Sequence, residues 1–190
     1  MSLKSRKEAL IKRYEMELER MMSDSDIERY LGDDCIIKYS DLANYSNINE
    51  LLPKDTDFKV ILTEQQYNSG HWCCLLKYKN IIEWFDSYGM RPDGQFSYIS
   101  TITKHLLGQG GNMLSKLLKD SKRKDQKVFY NKRRFQVSQD HVNTCGRWVV
   151  ARILAMRCGY EIDDFIEKVD DKMDETKKPA DVLVVDWIPF

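Results

Sequence analysis

Residues 144–158, TCGRWVVARILAMRC, are the most informative stretch of the sequence. From Trp148 to Met156 apolar side chains point in almost every helical direction, and the only interruptions in 144–158 are arginines at positions 147, 152 and 157. A helix that is apolar nearly all round is buried in the centre of a domain. Gly159 follows as a stop signal. The stretch therefore predicts a central, buried helix with Cys145 in its first turn.

The composition excludes several classes of protein. The chain has 190 residues, enough for one domain that folds without disulfides. Its 30 basic residues equal its 30 acidic ones, so it is neither strongly basic nor strongly acidic overall. The longest apolar run, Trp72–Leu76, is far shorter than the roughly 20 residues of a membrane span, and no secretory signal is visible. We expect a single domain over 1–190, without membrane contact and not secreted.

The remaining patterns predict an α+β fold. Residues 58–63, 72–78, 81–85 and 127–130 are predicted strands, and Lys79-Asn80 is the tight turn of a hairpin. Helices are predicted at 4–22, 26–31, 97–107, 112–118 and 161–173. The last apolar run, 181–188, predicts a late strand or a buried tail. The first two helices form a helical N-terminal segment, 1–31, and we expect the helix over 4–22 to cover the core.

Cys145 is a candidate nucleophile. The amino end of a helix offers free N–H groups and partial positive charge, which favour a thiolate. Gly146 adds no side chain that would block the sulfur. The alternative is a small buried residue at the start of a core helix. The five cysteines are odd in number and contain no C-x-x-C pair, so we expect neither a disulfide framework nor a metal site.

A thiolate nucleophile needs a base and a group that orients it. His71 lies at the start of a predicted strand and can face a cleft, whereas His105 lies within a helix and His141 in a loop. Asp86 ends the second strand of the hairpin, and the turn position predicts that it lies beside His71. Taken alone, Asp86-Ser87 is more typical of a turn that ends a strand. Gln139, six residues before the cysteine, is a candidate donor to an oxyanion.

Together, His71-Trp72, Asp86-Ser87, Gln139 and Cys145-Gly146 resemble, in order and spacing, the adenain and SUMO-protease superfamily of cysteine proteases. The resemblance covers about residues 58–158, the expected catalytic core. It implies an α+β fold in which the helix bearing the nucleophile packs on a small mixed sheet, surrounded by helices. It implies that Cys145 is the nucleophile, His71 the base and Asp86 the acid that orients the base. It also implies that Gln139 donates to the oxyanion and that Trp72 packs beside the base.

Within this superfamily the chain looks most like the small maturation proteases of virophages, Polinton-type elements and large DNA viruses. That resemblance implies cleavage of capsid or other virion precursors after small residues such as Gly-Gly, without metal or organic cofactor. It also implies a location in the host cytoplasm, the viral factory and the virion. The alternatives are a deconjugating isopeptidase for ubiquitin-like proteins, an acetyltransferase with the same layout, and a DNA-binding virion protein with a vestigial site.

Charge is segregated along the chain. The stretch Lys116–Arg134 holds nine basic residues and two acids, whereas 160–175 holds eight acids and two lysines. The basic stretch, with the interleaved aromatics Phe129, Tyr130 and Phe135, is a candidate for binding DNA. The alternatives are a solvated surface and a dock for an acidic partner. DNA or a peptide is therefore a candidate activator of the protein.

Overall fold

The structure, a computed structural model, describes residues 3–123 and 126–190. Its five strands are β1 (Ile36–Lys38), β2 (Phe58–Gln66), β3 (Ser69–Tyr78), β4 (Ile81–Phe85) and β5 (Lys127–Tyr130). Its α-helices are α1 (Leu3–Glu19), α2 (Asp24–Leu31), α3 (Ile48–Leu51), α4 (Thr101–Leu106), α5 (Met113–Arg123), α6 (Cys145–Arg157), α7 (Ile162–Thr176) and α8 (Ala180–Trp187). Two 3-10 helices cover Tyr39–Asn44 and Gly94–Tyr98. Among the described helices we find none with the length and apolar content that a bilayer crossing requires.

The strands form one mixed sheet in the order β1-β2-β3-β4-β5. The two outer pairs, β1 with β2 and β4 with β5, are parallel, and the two inner pairs are antiparallel. The predicted β3–β4 hairpin is confirmed: Tyr78 pairs with Ile81, and both Lys79 and Asn80 have positive φ angles, as a tight two-residue hairpin turn requires.

Alternate side chains of β3 point into two separate apolar cores. Trp72, Cys74 and Leu76 lie in the core on the α6 side of the sheet. Cys73 and Leu75 lie in the core on the opposite side, with residues of α3, α5 and the 3-10 helices. Both faces of the sheet are thus covered, and the predicted α+β architecture is confirmed.

Helix α6 is the predicted central helix. Trp148, Val149 and Val150 are fully buried, and the helix packs against β3. Its one fully buried ion pair joins the Arg152 guanidinium to the Glu83 carboxylate of β4, with nitrogen–oxygen distances of 2.8 and 2.7 Å. Both side chains have 0% exposure. This pair ties the middle of the helix to the sheet.

The N-terminal helix differs from the expectation. Helix α1 ends at Glu19, and none of its residues is buried. Leu10, predicted to face the core, is 51% exposed, and Met21 is 53% exposed. The helix is held instead by polar contacts, such as the hydrogen bond of 2.8 Å from the Tyr14 hydroxyl to Asp186. The expectation that α1 covers the core is therefore wrong.

The C-terminal stretch is also corrected. Residues 181–188 were expected as a strand or buried tail because they are apolar and β-branched, but they lie mainly in helix α8. Leu183, Val184 and Ile188 are buried against neighbouring helices, and this tertiary packing outweighs their strand preference. The helix expected over 97–107 begins later, at 101, where Ser100 provides the N-cap.

The predicted basic stretch divides into two parts. Exposed lysines and arginine lie on α5, on β5 and after it: Lys116, Lys119, Lys127, Lys132 and Arg134. Arg133 is instead paired with Asp170 of the acidic helix α7, at 2.7 Å. Phe129 and Tyr130 are 48% and 38% exposed, but Phe135 is 2% exposed and belongs to the core, so it cannot stack on a base. Lys124 and Asp125 lie outside the described residues.

Candidate active site

Cys145 is the first residue of α6 and lines a cleft of about 440 Å³ between that helix, β3 and the segment before α2. The imidazole of His71 is the side chain that interacts most strongly with the Cys145 thiol. Burial raises the pKa of the Cys145 thiol, but the hydrogen bond and the charge of His71, with the N–H groups of Trp72 and Gly146, lower it more. The net pKa is below the ordinary value for cysteine, which favours the nucleophilic thiolate.

The imidazole of His71 connects Cys145 to a buried carboxylate. Its Nε2 lies 3.1 Å from Oδ1 of Asp86, and its ring stacks on that of Tyr88 with ring centroids 4.9 Å apart. Burial lowers the pKa of His71, but the surrounding Asp86, Cys73 and Cys145 raise it well above the ordinary value. The raised imidazole pKa and the lowered thiol pKa both favour the charged pair of thiolate and imidazolium over the neutral pair.

The register of the hairpin explains the contact. Cys74 pairs with Phe85, so Asp86 lies opposite Cys73, and His71 is its diagonal neighbour. Asp86 lies beside His71 as predicted, although the residue opposite Asp86 is Cys73, two positions further along β3. The two side chains nevertheless meet, because diagonal positions on one sheet face lie within reach of long side chains.

A clamp of hydrogen bonds holds Asp86. Its Oδ1 also accepts from the backbone N–H of Tyr88, at 2.7 Å. The buried amide of Asn131 accepts from the Asp86 N–H at 2.9 Å and donates to the Asp86 carbonyl at 2.6 Å. Asn131 follows β5 directly, so the parallel pairing of β5 with β4 places it beside Asp86. The sequence analysis missed Asn131, since no local pattern distinguishes it from a loop residue.

The structure does not bring Gln139 to the site. Gln139 is exposed in the loop before α6 and is not among the described residues that line the cleft. Gln136, 1% exposed, lines the cleft beside Cys145 instead. Its Oε1 accepts from the Ser87 hydroxyl at 2.9 Å, and its Nε2 donates to the Val142 carbonyl at 2.8 Å. The amide nitrogen carries a second N–H besides the one that donates to Val142.

Trp72 was expected to pack beside His71, and Gly146 to leave the sulfur accessible. Both residues instead pack at the start of α6. The Trp72 indole donates to the Met22 carbonyl at 3.0 Å and is 6% exposed. Because adjacent strand residues face opposite sides, Trp72 lies in the α6-side core rather than on the face of His71. A Cβ atom at Gly146 would lie 2.8 Å from Cβ of Met22 and 3.2 Å from Trp72. The glycine thus allows close packing of the helix start.

Residues beyond the predicted core 58–158 support the nucleophile. The buried carboxylate of Asp181, in α8, accepts from the Thr144 hydroxyl, from the Trp148 indole at 3.2 Å and from the Val137 N–H at 2.9 Å. Burial raises the pKa of Asp181, although these three donors lower it in part. This one side chain therefore joins the loop and the first turn of α6.

The C-terminal end of α1 supports the same segment. The backbone N–H of Asn143 donates to the Leu18 carbonyl at 2.7 Å, and its side chain donates to the Glu19 carbonyl at 2.8 Å. The buried guanidinium of Arg147 pairs with Glu17 at 2.7 Å. His141 is exposed and paired with Glu19, and His105 is exposed on α4, so neither is a base for Cys145.

One group of side chains has the composition of a metal site. The ligand atoms of His71, Cys73 and Asp86 all lie within 4.8 Å of one another. Each of them already takes part in the hydrogen bonds around Asp86. We therefore interpret the group as a hydrogen-bonded network centred on the Asp86 carboxylate.

The comparisons with known proteins place the chain in a family. No protein-family model matches the sequence. The chain is 37% identical over 150 residues to the uncharacterized protein V9 of Sputnik virophage, an alignment that covers 78% of this chain and 82% of that protein. The chain belongs to the family of this virophage protein. The predicted similarity to a virophage protein is thereby confirmed, through a relative whose name states no activity.

Two solved structures are also similar. One is the SUMO protease Ulp1 with its catalytic cysteine oxidised to a sulfenic acid, with a TM-score of 0.41, 14% identity, and coverage of 90% of this chain and 78% of that one. The other is the C-terminal Ulp1 protease domain in complex with SMT3, the yeast ortholog of SUMO. Its TM-score is 0.38 at 14% identity, with coverage of 88% and 77%.

We expect Gly146→Ala to destabilise the fold by about 1–3 kcal/mol, because the new methyl group overlaps the Cβ of Met22. Gly110→Ala is the matched control, since a Cβ there meets nothing within 4 Å. Urea denaturation of both variants measures the difference. Equal midpoints for the two would contradict the packing role of Gly146.

We expect iodoacetamide to alkylate Cys145 faster than the other four cysteines at pH 6, since its pKa is lowered by His71. Mass spectrometry of each cysteine against pH measures this. His71→Ala removes the cause and should slow the alkylation of Cys145 at pH 6 to the rate of an ordinary thiol. An unchanged profile in that variant would show that His71 does not activate the thiol.

Proposed function

We propose that the protein is a cysteine endopeptidase that processes virion precursor proteins. The observation that carries this proposal is the chain of contacts from Asp86 through His71 to Cys145, which opens into a cleft. A nucleophile, a base and a group that orients the base are the parts that acyl transfer requires.

The proposed reaction has two steps. The Cys145 thiolate attacks the scissile carbonyl carbon, and the negative charge on the carbonyl oxygen is stabilised by backbone N–H groups at the start of α6 and by the free N–H of Gln136. His71 gives its proton to the leaving amine as the carbon–nitrogen bond breaks. Water, deprotonated by His71, then hydrolyses the thioester and restores the thiol.

The proposed substrate class rests on the similarity to a virophage protein. We propose that the enzyme acts in the host cytoplasm or viral factory and in the virion, and that it cuts after small residues such as Gly-Gly. The exposed lysines of α5 and β5 are a proposed contact for DNA, whose binding would weaken steeply with salt.

The test is co-expression of the chain with the capsid and other virion precursors of its own genome, followed by mass spectrometry of new termini. We expect cleavage by the native chain and none by Cys145→Ala, which removes the nucleophile but little of the core. Cleavage that persists in Cys145→Ala would overturn the proposal. A native chain that leaves the precursors intact but reacts at Cys145 with a ubiquitin-like vinyl sulfone would instead identify an isopeptidase.

Gln136 and Gln139 provide a matched pair of variants for testing the donor to the oxyanion. We expect Gln136→Ala to lower kcat about 100-fold or more, the typical effect of removing one donor to an oxyanion. Gln139→Ala, at an exposed position, should leave kcat unchanged. Steady-state kinetics on the cleaved peptide, with thermal melting as the control for folding, distinguishes the two. A larger loss in Gln139→Ala would restore the original assignment.

A further inference from the structure

A second cysteine lies beside the catalytic network and has no part in the proposed reaction. Cys73 is two residues after His71 on the same face of β3 and has 0% exposure. Its backbone is opposite that of Asp86, the next position after the pair formed by Cys74 and Phe85. Its side chain is therefore directed at the carboxylate by the geometry of the sheet.

The two oxygens of the Asp86 carboxylate have different partners. Oδ1 contacts Nε2 of His71 at 3.1 Å and the N–H of Tyr88 at 2.7 Å. Oδ2 accepts from the Cys73 thiol, with a sulfur–oxygen distance of 3.6 Å. Within residues 3–123 and 126–190, Cys73 is the hydrogen-bond donor to Oδ2. Asp86 has 0% exposure, so bulk water cannot take over this role.

The environment keeps Cys73 protonated. Burial, followed by the charge of Asp86, raises the pKa of its thiol to about 12. The sulfur therefore remains an S–H donor throughout the neutral range, whereas the thiol of Cys145 has the opposite tendency. The two cysteines thus differ in chemistry although both surround His71.

We propose that Cys73 is a positioning residue, whose thiol fixes the rotation of the Asp86 carboxylate so that Oδ1 stays directed at His71. The torsion about the last bond of an aspartate is soft, so the carboxylate needs a contact on each oxygen to hold one orientation. The loss of the donor on Oδ2 leaves a buried charged oxygen unpaired, and the carboxylate rotates away from Nε2. The inference rests on the proposed function, because it assigns Cys73 a role in the same network.

The test compares Cys73→Ser, which keeps a donor, with Cys73→Ala, which does not. Both residues are smaller than cysteine, so neither clashes with the core. The readout is the pH profile of Cys145 alkylation, which requires no substrate. Several elements contribute the titratable groups around Cys145 and its neighbours. These groups are His71, Cys73, Asp86, Tyr88, Asp24 and Asp181.

We expect the serine variant to match the native profile. In the alanine variant, alkylation of Cys145 at pH 6 should fall about three- to tenfold, the effect of one hydrogen bond, and kcat should fall with KM unchanged. Cys74→Ala is the structural control, since Cys74 is equally buried but faces the α6-side core. It should lower stability without changing the pH profile.

Identical profiles for the serine and alanine variants would overturn the proposal, as would an equal shift in Cys74→Ala. If Cys73→Ala does not fold, Cys73→Val replaces it in the comparison, since valine is slightly larger than cysteine, leaves no cavity and has no donor. The alkylation result is independent of peptide cleavage. A chain that cleaves no precursor can therefore still show the dependence on Cys73, which separates failure of this inference from failure of the proposed function.

Discussion

The buried ion pair between Arg152 and Glu83 fixes the position of helix α6 on the sheet. Both side chains are fully buried, and two nitrogen–oxygen contacts join them. A shift of the helix would leave a guanidinium and a carboxylate unpaired in an apolar core, which is far more costly than a poor apolar contact. Since Cys145 precedes Arg152 by two helical turns, roughly 10 Å, the same pair determines where the sulfur lies. The close packing of Gly146 on Met22 then fixes the first turn.

Local sequence patterns predicted those parts of the site that depend on regular elements. The apolar circumference of 144–158 located the helix, and the turn at Lys79-Asn80 brought Asp86 near His71. The register differs by two residues from one that would put them directly opposite, but the two side chains still meet because the carboxylate reaches diagonally. The number of residues between two positions of a hairpin thus predicts that their side chains lie close together, even when it does not predict which residues are directly opposite.

Spacing within a loop is not reliable in the same way. Gln139 was chosen by counting back from Cys145, but an irregular segment does not convert residue number into direction. Gln136 lines the cleft because Ser87, at the end of β4, holds its amide and because the preceding Phe135 is buried in the core. Both contacts are tertiary. For the same reason the sequence did not predict the roles of Asn131 and Cys73, since these depend on which residue lies across the sheet.

Support for the nucleophile comes from both ends of the described chain, and Asp181 is the part of it that is synthesised last. The loop before α6 and the Thr144 hydroxyl both depend on this carboxylate. Cys145 leaves the ribosome well before Asp181, so the growing chain carries its reactive sulfur without the group that holds its surroundings. It follows that the contacts around Cys145 are complete only after Asp181 has been synthesised.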